Sequence, residues 1–243
     1  MKKFLSFAVF VIVILAMVVA ATSEDNGSSK NSKSDVASAI ELKEPNINGG
    51  ISLEKALKER RSVRSFGKDG LSLDEVSCLL WAAQGITDDK GHRTAPSGFE
   101  SYPLQVYLLA GNVTGLPSGV YHYSPRGHNL TVITQGNIDE YYNASTSFED
   151  WIKTAPAIFI ITGNPDPLKE IVNRMSLNIT DEQLIQEVYL EAGMAAENLL
   201  LEVVSLNLGA TYTAGFNASE IERLLGLPEN EMPIGVIPVG RMA

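Results

Sequence analysis

Cysteine is nearly absent from the sequence: Cys78 is the only one in 243 residues, so no intrachain disulfide can form. The sequence also lacks G-x-x-x-x-G-K-[ST], G-x-G-x-x-G and G-x-S-x-G, which excludes a P-loop, a Rossmann fingerprint and a nucleophile elbow. Its three histidines are scattered and form no H-E-x-x-H, so we predict no metal site. We assign no catalytic residue, although a carboxylate pair among the 29 acidic residues stays open. Any chemistry is then expected to belong to a bound cofactor.

Positive charge is scarce as well. The chain has 19 lysines and arginines against 29 acidic residues, and its formal net charge is −10. Such a chain is not suited to bind nucleic acid through bulk charge. We therefore predict no nucleic-acid partner.

The N-terminus has the order of an export signal. Lys2 and Lys3 precede the apolar run Phe4–Ala21, which ends in small residues. The run is also long enough to cross a bilayer, so residues 1–21 are predicted as a signal peptide or an N-terminal membrane anchor. Either outcome places the rest of the chain outside the cytoplasm, secreted or anchored. Residues 22–48 are predicted as a flexible polar linker and residues 49–243 as the folded domain. Asn-X-Ser/Thr sites support export, although Asn and Ser also share turns: Asn26, Asn112, Asn129, Asn143, Asn178 and Asn217.

Helices and strands are interleaved in the folded part. Polar caps predict helices that begin after Ser52, Ser72, Thr180 and Asn217. The β-rich runs predict strands at 105–110, 120–123, 130–134, 157–162 and 235–239, with a hairpin around residues 125–127. The helix after Thr180 is the longest and is apolar on most sides, which predicts burial between a sheet and a second subunit. The class is therefore α+β.

Cations gather in one place despite the acidic chain. Arg60, Arg61 and Arg64 surround Ser62 at the end of the first helix. In an extended segment Arg60, Ser62 and Arg64 project to one side, where two guanidinium groups and a hydroxyl suit a phosphate. Arg61 then faces the other way. The alternative is a solvated helix end.

Three segments together resemble the nitroreductase family of flavin enzymes. They are Arg60–Phe66 (RRSVRSF), Ala95–Leu104 (APSGFESYPL), and Leu208–Phe216 (LGATYTAGF) followed by Ile237–Arg241 (IPVGR). The second segment and Gly119–Tyr123 (GVYHY) are most similar to the azoline-oxidising branch, the thiazoline and oxazoline dehydrogenases. The resemblance covers residues 51–241.

The resemblance implies a mixed sheet flanked by helices, an intertwined homodimer around the long central helix, and one FMN per site. It makes the following residues candidates for cofactor binding: Arg60, Arg61, Ser62, Arg64, Pro96, Ser97, Gly98, Ala214, Gly215 and Arg241. By the same likeness Arg60, Ser62 and Arg64 contact the phosphate, the ribityl chain and the N1 side of the ring. Pro96, Ser97 and Gly98 pass along the ring, Ala214 and Gly215 lie on its other side, and Arg241 is a second phosphate cation.

Two features depart from that pattern. Glu100 stands where many members carry a flavin-contacting Asn, and the chain ends two residues after Arg241, where many members continue with basic residues.

The expected function is hydride and electron transfer through FMN N5 in alternate half-reactions, on a small-molecule or peptide substrate. The family's donor is NAD(P)H, but an exported chain needs another reductant, so the donor stays unknown. The alternative is an exported flavin-fold binding protein without turnover.

Overall fold

An antiparallel sheet forms the centre of the structure, a computed structural model that describes residues 39–48, 50–146 and 150–243. Within these residues its seven strands are ordered β1-β6-β5-β3-β7-β9-β8. They are β1 (Ile40–Glu41), β3 (Leu104–Ala110), β5 (Gly119–Ser124), β6 (Asn129–Gln135), β7 (Ala157–Gly163), β8 (Gly209–Ala210) and β9 (Met232–Gly240). A second sheet pairs β2 (Leu71–Ser72) with β4 (Val113–Thr114) in parallel.

Six α-helices flank the central sheet in the described ranges. They are α1 (Leu53–Glu59), α2 (Leu73–Gln84), α3 (Asp139–Ala144), α4 (Asp166–Arg174), α5 (Asp181–Ser205) and α6 (Ala218–Leu225). Short 3-10 turns occur at Gly98–Glu100 and Asp150–Thr154. The predicted α+β class with a sheet flanked by helices is confirmed. The resemblance implied a mixed sheet, and the strand pairs of the seven-stranded sheet are antiparallel.

Local capping chemistry fixes where the helices begin. Ser72 and Glu75 form a reciprocal capping box at α2, and Thr180 and Gln183 form another at α5. Each box satisfies two backbone N–H groups that have no partner inside the helix. Asn217 caps α6 in the same way, with its side-chain oxygen accepting from a backbone N–H. All four predicted helix starts are confirmed.

The two faces of the sheet bury separate hydrophobic clusters. Successive side chains of β3 point to opposite faces, so Val106 and Leu108 join one cluster while Tyr107 and Leu109 join the other. Helices α2 and α5 cover the first face, and α3 and α6 cover the second. Strand β7 is buried along its whole length between β3 and β9, as its apolar composition predicts.

Strand β1 corrects the predicted linker. Ile40 and Glu41 pair with Leu130 and Asn129 of β6, and Leu42 is buried in the core. The prediction that residues 22–48 are a flexible linker is therefore wrong for Ile40–Leu42, because these residues complete the sheet edge and bury apolar surface. The rest of that segment up to residue 38 and the predicted signal or anchor at 1–21 lie outside the described residues. Among the residues described, no helix has the length and apolar character needed to span a membrane.

Helix α5 has two unlike sides. One side packs on the sheet through small and aliphatic residues that include Val188, Ala195 and Leu199. The other side exposes Tyr189, Leu190 and Met194 to solvent in the single chain. Helix α5 is thus apolar on most sides, as predicted. One of its apolar sides is buried on the sheet, and the described residues leave the other uncovered.

Candidate functional site

The arginine segment runs as an extended strand beside β8. Val63 N–H donates to the Ala210 carbonyl at 2.8 Å, and the Thr211 hydroxyl donates to the Val63 carbonyl at 2.8 Å. Further along, Gly67 N–H donates to the Arg241 carbonyl at 2.9 Å. These bonds fix the backbone, so the side chains on either side of Val63 have defined directions.

The extended backbone puts Ser62 and Arg64 on the outside. Val63 between them turns inward, toward Gly209. Both Ser62 and Arg64 are exposed, and neither side chain has a hydrogen bond or ion pair with any residue in the described ranges. Arg60, at the end of α1, lies 3.5 Å from Glu197 of α5, measured from Nε to Oε1. Two cations and a hydroxyl thus stand on one rigid segment.

Arg61 has a different environment. Its guanidinium folds back and donates to the carbonyls of Lys58, at 3.0 Å, and Arg60, at 2.6 Å. It caps the end of α1, where unsatisfied carbonyls favour a cation. This contact matches the expectation that Arg61 faces away from its neighbours.

Arg241 is held by a carboxylate. Its two terminal nitrogens bind the two oxygens of Glu75, at 2.8 and 2.9 Å. Glu75 also accepts from Ser72 as the capping residue of α2. Because both ends of this bidentate pair are engaged within the fold, the structure does not place the Arg241 guanidinium with the free Arg64 side chain.

The loop Pro96–Gly98 is attached to helix α5. Gly98 N–H donates to Glu191 Oε1 at 2.8 Å, and the Ser97 hydroxyl donates to the same oxygen at 3.0 Å. Ser97 Oγ in turn accepts from Tyr102 N–H at 2.8 Å. Pro96 is exposed at the turn. Because the Gly98 N–H donates to Glu191, it cannot also donate to a ligand.

Glu191 is a residue that sequence reasoning missed. Its side chain is 2% exposed, and burial raises its pKa above the usual value, with Glu187 adding to the rise while the bonds from Gly98 and Ser97 oppose it. The available signal was its spacing, because it continues the buried positions Leu184, Val188 and Ala195 of α5. A carboxylate at such a position needs a partner.

Glu100 points toward His92. Its Oε1 lies 3.5 Å from His92 Nε2, and its side chain is largely exposed. His92 Nδ1 is 2.6 Å from Asp88 Oδ2, so the imidazole sits between two carboxylates. The Asp88 hydrogen bond raises the pKa of His92, and Glu100 adds to that rise. Glu100, which departs from the family pattern, thus has His92 as a polar neighbour.

Ala214 and Gly215 form an exposed turn beyond β8. Gly215 N–H donates to the Thr213 hydroxyl at 3.0 Å, and Thr213 itself pairs with Val236 of β9. The turn is therefore anchored to the sheet, with both predicted contact residues accessible.

Two of the groups of candidate residues meet the same helix. The arginine segment contacts α5 at Glu197, and the Pro96–Gly98 loop contacts it at Glu191. These positions are about 9 Å apart along the helix axis. In the described chain no hydrogen bond or ion pair joins the two groups.

The other potentially reactive side chains, His128 and Cys78, are buried or half-buried in the fold. Across the described ranges, no three His, Cys, Asp or Glu side chains are grouped as metal ligands. His128 is buried and bonded to Ser77 and Tyr123. Burial raises the pKa of the Cys78 thiol, which disfavours the nucleophilic thiolate.

Known structures share this architecture. A crystal structure of a candidate nitroreductase from Ralstonia eutropha superposes with a TM-score of 0.72 and 29% identity, covering 84% of this chain and 90% of that one. The E. coli microcin synthetase McbBCD complex with truncated pro-MccB17 has a chain with a TM-score of 0.63, 21% identity, and coverage of 83% and 77%. The fold is therefore that of the nitroreductase class.

The sequence comparisons define the family. Residues 57–241 match the model of the nitroreductase family. A candidate nitroreductase of Methanocaldococcus jannaschii is 32% identical over 202 residues, which cover 83% of this chain and 96% of that protein. The trifolitoxin-processing protein TfxB of Rhizobium leguminosarum bv. trifolii is 35% identical over 72 residues, covering 26% of this chain and 19% of that protein. The chain belongs to the nitroreductase family and is an oxidoreductase of that family.

The polar contacts around Glu100 give a prediction for pH titration. His92 will titrate above its ordinary value of 6.5, because Asp88 stabilises the charged imidazolium. His122 will titrate below 6.5, because burial disfavours its charged form. Imidazole NMR signals followed against pH measure both, and Asp88→Asn should lower the pKa of His92 while leaving that of His122 unchanged. A His92 pKa that does not respond to Asp88→Asn would contradict the assignment.

Proposed function

We propose that the chain is an FMN-dependent oxidoreductase that acts as a homodimer. The observation that carries the proposal is the rigid segment Arg60–Arg64, with its outward Ser62 and with an Arg64 that has no partner in the described part of the chain. Arginine binds phosphate through parallel charge-assisted hydrogen bonds, and a neighbouring hydroxyl adds another. The donor set therefore fits the phosphate end of a flavin mononucleotide. Family membership supports the same cofactor.

The other candidate residues fit a flat ring. Ser97 and Gly98 lie on a loop held close to α5, where a Cβ added to Gly98 would come 3.4 Å from the Glu187 carboxylate. Gly215 lies on an exposed turn with no side chain to block an approaching ligand. We propose that these two turns contact the ring, with Pro96 and Ala214 beside them. Arg241 is left out of the proposed phosphate contacts because Glu75 engages it.

Bound FMN supplies hydride and electron transfer between a donor and an acceptor. In this proposal Arg60 and Arg64 neutralise the phosphate and favour negative charge on whatever is bound beside them. Ser62 donates a hydrogen bond that orients the chain leading from the phosphate. Ser97 and Gly98 define the edge of the ring site and limit access of water. No side chain of the described site has to act as an acid or base for this role.

The homodimer proposal rests on uncovered apolar surface. On α5, Tyr189, Leu190 and Met194 are exposed, and Leu190 is 63% exposed. On α1, Leu53 and Leu57 are exposed one turn apart. Large apolar patches of this kind mark protein interfaces. A second chain placed over α5 would also bring a second set of site residues to the same helix.

A finer proposal concerns the substrate. The resemblance of Ala95–Leu104 and Gly119–Tyr123 to azoline dehydrogenases, with the partial likeness to TfxB, favours oxidation of a ring in a peptide. Export, if the N-terminal segment directs it, favours a donor or acceptor other than NAD(P)H. The peptide substrate and the identity of the donor or acceptor are thus finer proposals within flavin-dependent electron transfer.

Cofactor uptake tests the arginine assignment. The double variant Arg60→Ala/Arg64→Ala should weaken FMN binding at least about 100-fold, because two charge-assisted contacts of about 1.5–3 kcal/mol each are removed. Arg61→Ala is the matched control and should change the affinity by less than about threefold, because its guanidinium caps α1. Quenching of flavin fluorescence on titration of the full chain measures the dissociation constants. An unmodified chain that takes up no FMN, or equal losses in both variants, would overturn the assignment.

Turnover separates an enzyme from a binding protein. The FMN-loaded chain should lose its flavin absorbance anaerobically with NADH, NADPH or a reduced quinone, and regain it with an acceptor. Steady-state rates should give parallel double-reciprocal lines, as alternate half-reactions require. A thiazoline- or oxazoline-containing peptide added to the oxidised protein tests the finer proposal through the same loss of absorbance. A chain that holds FMN but responds only to dithionite would support the binding protein.

Dimerisation is tested on α5. Leu190→Asp should convert the protein to a monomer, because an ionised carboxylate would be buried without a partner in the proposed interface. Ile133→Asp, at an exposed position of β6, is the control and should leave the association state unchanged. Sedimentation equilibrium measures the mass of each. A wild-type monomer, or a Leu190→Asp dimer of unchanged affinity, would refute the interface.

A further inference from the structure

Helix α5 carries a buried carboxylate whose partners all lie on one loop. Glu191 accepts from the Gly98 amide and from the Ser97 hydroxyl, both through Oε1. It is surrounded on its own helix by Val188, Ala192 and Ala195, all of which belong to the hydrophobic core. Burying a carboxylate among such residues costs free energy unless hydrogen bonds compensate it. The loop provides that compensation.

Arg93 attracts the Glu191 carboxylate electrostatically but does not bind it. Its Nη1 donates to Gln84 Oε1 at 2.6 Å, and its guanidinium lies 4.5 Å from the centre of the Tyr102 ring. In the part of the chain that the structure describes, Glu191 has no ion pair. Glu187, one turn earlier on α5, also faces the loop but makes no hydrogen bond to it. The two carboxylates therefore differ in whether they hold the loop.

The loop that Glu191 holds is conformationally strained. Phe99, Glu100 and Tyr102 have φ values of 52°, 56° and 46°, in the left-handed region that non-glycine residues rarely adopt. Such a conformation costs free energy and persists only where the surroundings enforce it. The bonds from Ser97 and Gly98 to Glu191 enter the loop just before this stretch, and Ser97 Oγ closes it by accepting from Tyr102 N–H.

We propose that Glu191 is a positioning residue for the FMN site: its buried carboxylate holds Ser97 and Gly98, and through Ser97 the turn to Tyr102, in the geometry in which the loop meets the cofactor. The inference rests on the proposed function for the identity of the ligand. The attachment of the loop to Glu191 is a property of the protein alone, so it can be tested with and without FMN.

The alternative is that Glu191 only fills space in the core. A leucine of similar size would then do as well or better, because replacing a buried charged group by an apolar one is often neutral or stabilising. If Glu191 positions the loop, a leucine cannot replace it, because leucine accepts no hydrogen bond. Glu191→Leu should fold but release the loop, whereas Glu191→Gln keeps an oxygen that can accept from Gly98 and Ser97. Glu187→Leu is the matched control, one turn away and facing the same loop.

Limited proteolysis reads the loop directly. Phe99 is exposed, and chymotrypsin cleaves after an aromatic residue once the surrounding segment opens and becomes extended in the protease. Cleavage after Phe99 in the full chain, without FMN, should be at least tenfold faster in Glu191→Leu than in the wild type, whereas Pro103 protects the bond after Tyr102. The rates for Glu191→Gln and Glu187→Leu should stay within about threefold of wild type. Equal rates in all four proteins would overturn the proposal.

Flavin measurements then connect the loop to the site. With FMN, Glu191→Leu should bind at least about tenfold more weakly and show a shifted visible flavin band, and Glu191→Gln should restore both. Circular dichroism and urea midpoints confirm that the variants are folded, and if Glu191→Leu does not fold, Glu191→Met takes its place. Faster cleavage with unchanged FMN affinity and spectrum would overturn the positioning role. If the wild type binds no FMN, the proposed function fails, while the cleavage rates still report on the loop.

Discussion

Burial of one side of helix α5 against the sheet is the constraint on which the rest of the structure depends. Its 25 residues pack against β3, β7 and β9, and seven of its small and aliphatic side chains join the core cluster on that face. A helix fixed in this way presents its other positions at set directions and heights. Glu191 and Glu197 therefore have fixed positions: Glu191 holds the Pro96–Gly98 loop, and Glu197 lies 3.5 Å from Arg60.

The arginine segment obtains its rigidity from a different source. It is tied to β8 by backbone bonds at Val63 and to the end of β9 at Gly67. Among the residues that the structure describes, the Arg64 side chain has no partner, and Arg60 has only a long contact with Glu197. Arg241 shows the contrast, because Glu75 neutralises it and joins the end of β9 to the start of α2. Arg241 thus has a structural role, whereas Arg60 and Arg64 remain available to a ligand.

Local chemistry explains what could be predicted from the sequence. Helix starts at Ser72 and Thr180 follow from capping boxes within four residues, and β7 follows from an unbroken apolar run. The three segments that resemble the nitroreductase family identify the fold and the arginine segment. Glu191 could not be selected in this way, because its partners Ser97 and Gly98 are more than ninety residues away in sequence. The same applies to the pair of Arg241 and Glu75, and to β1, whose two residues gain their conformation from β6.

The Pro96–Gly98 loop and the Arg60–Arg64 segment are separated along helix α5. FMN would need contacts at the edge of its ring and at its phosphate. The loop and the segment meet α5 about 9 Å apart along its axis, and within the described residues no bond joins them. Between and beside them α5 exposes Tyr189, Leu190 and Met194. A second chain packed on that apolar side would bury it and bring its own loop toward the first chain's arginines. In the proposed homodimer, the apolar side of α5 and the exposed Arg64 would both belong to a site that two chains complete.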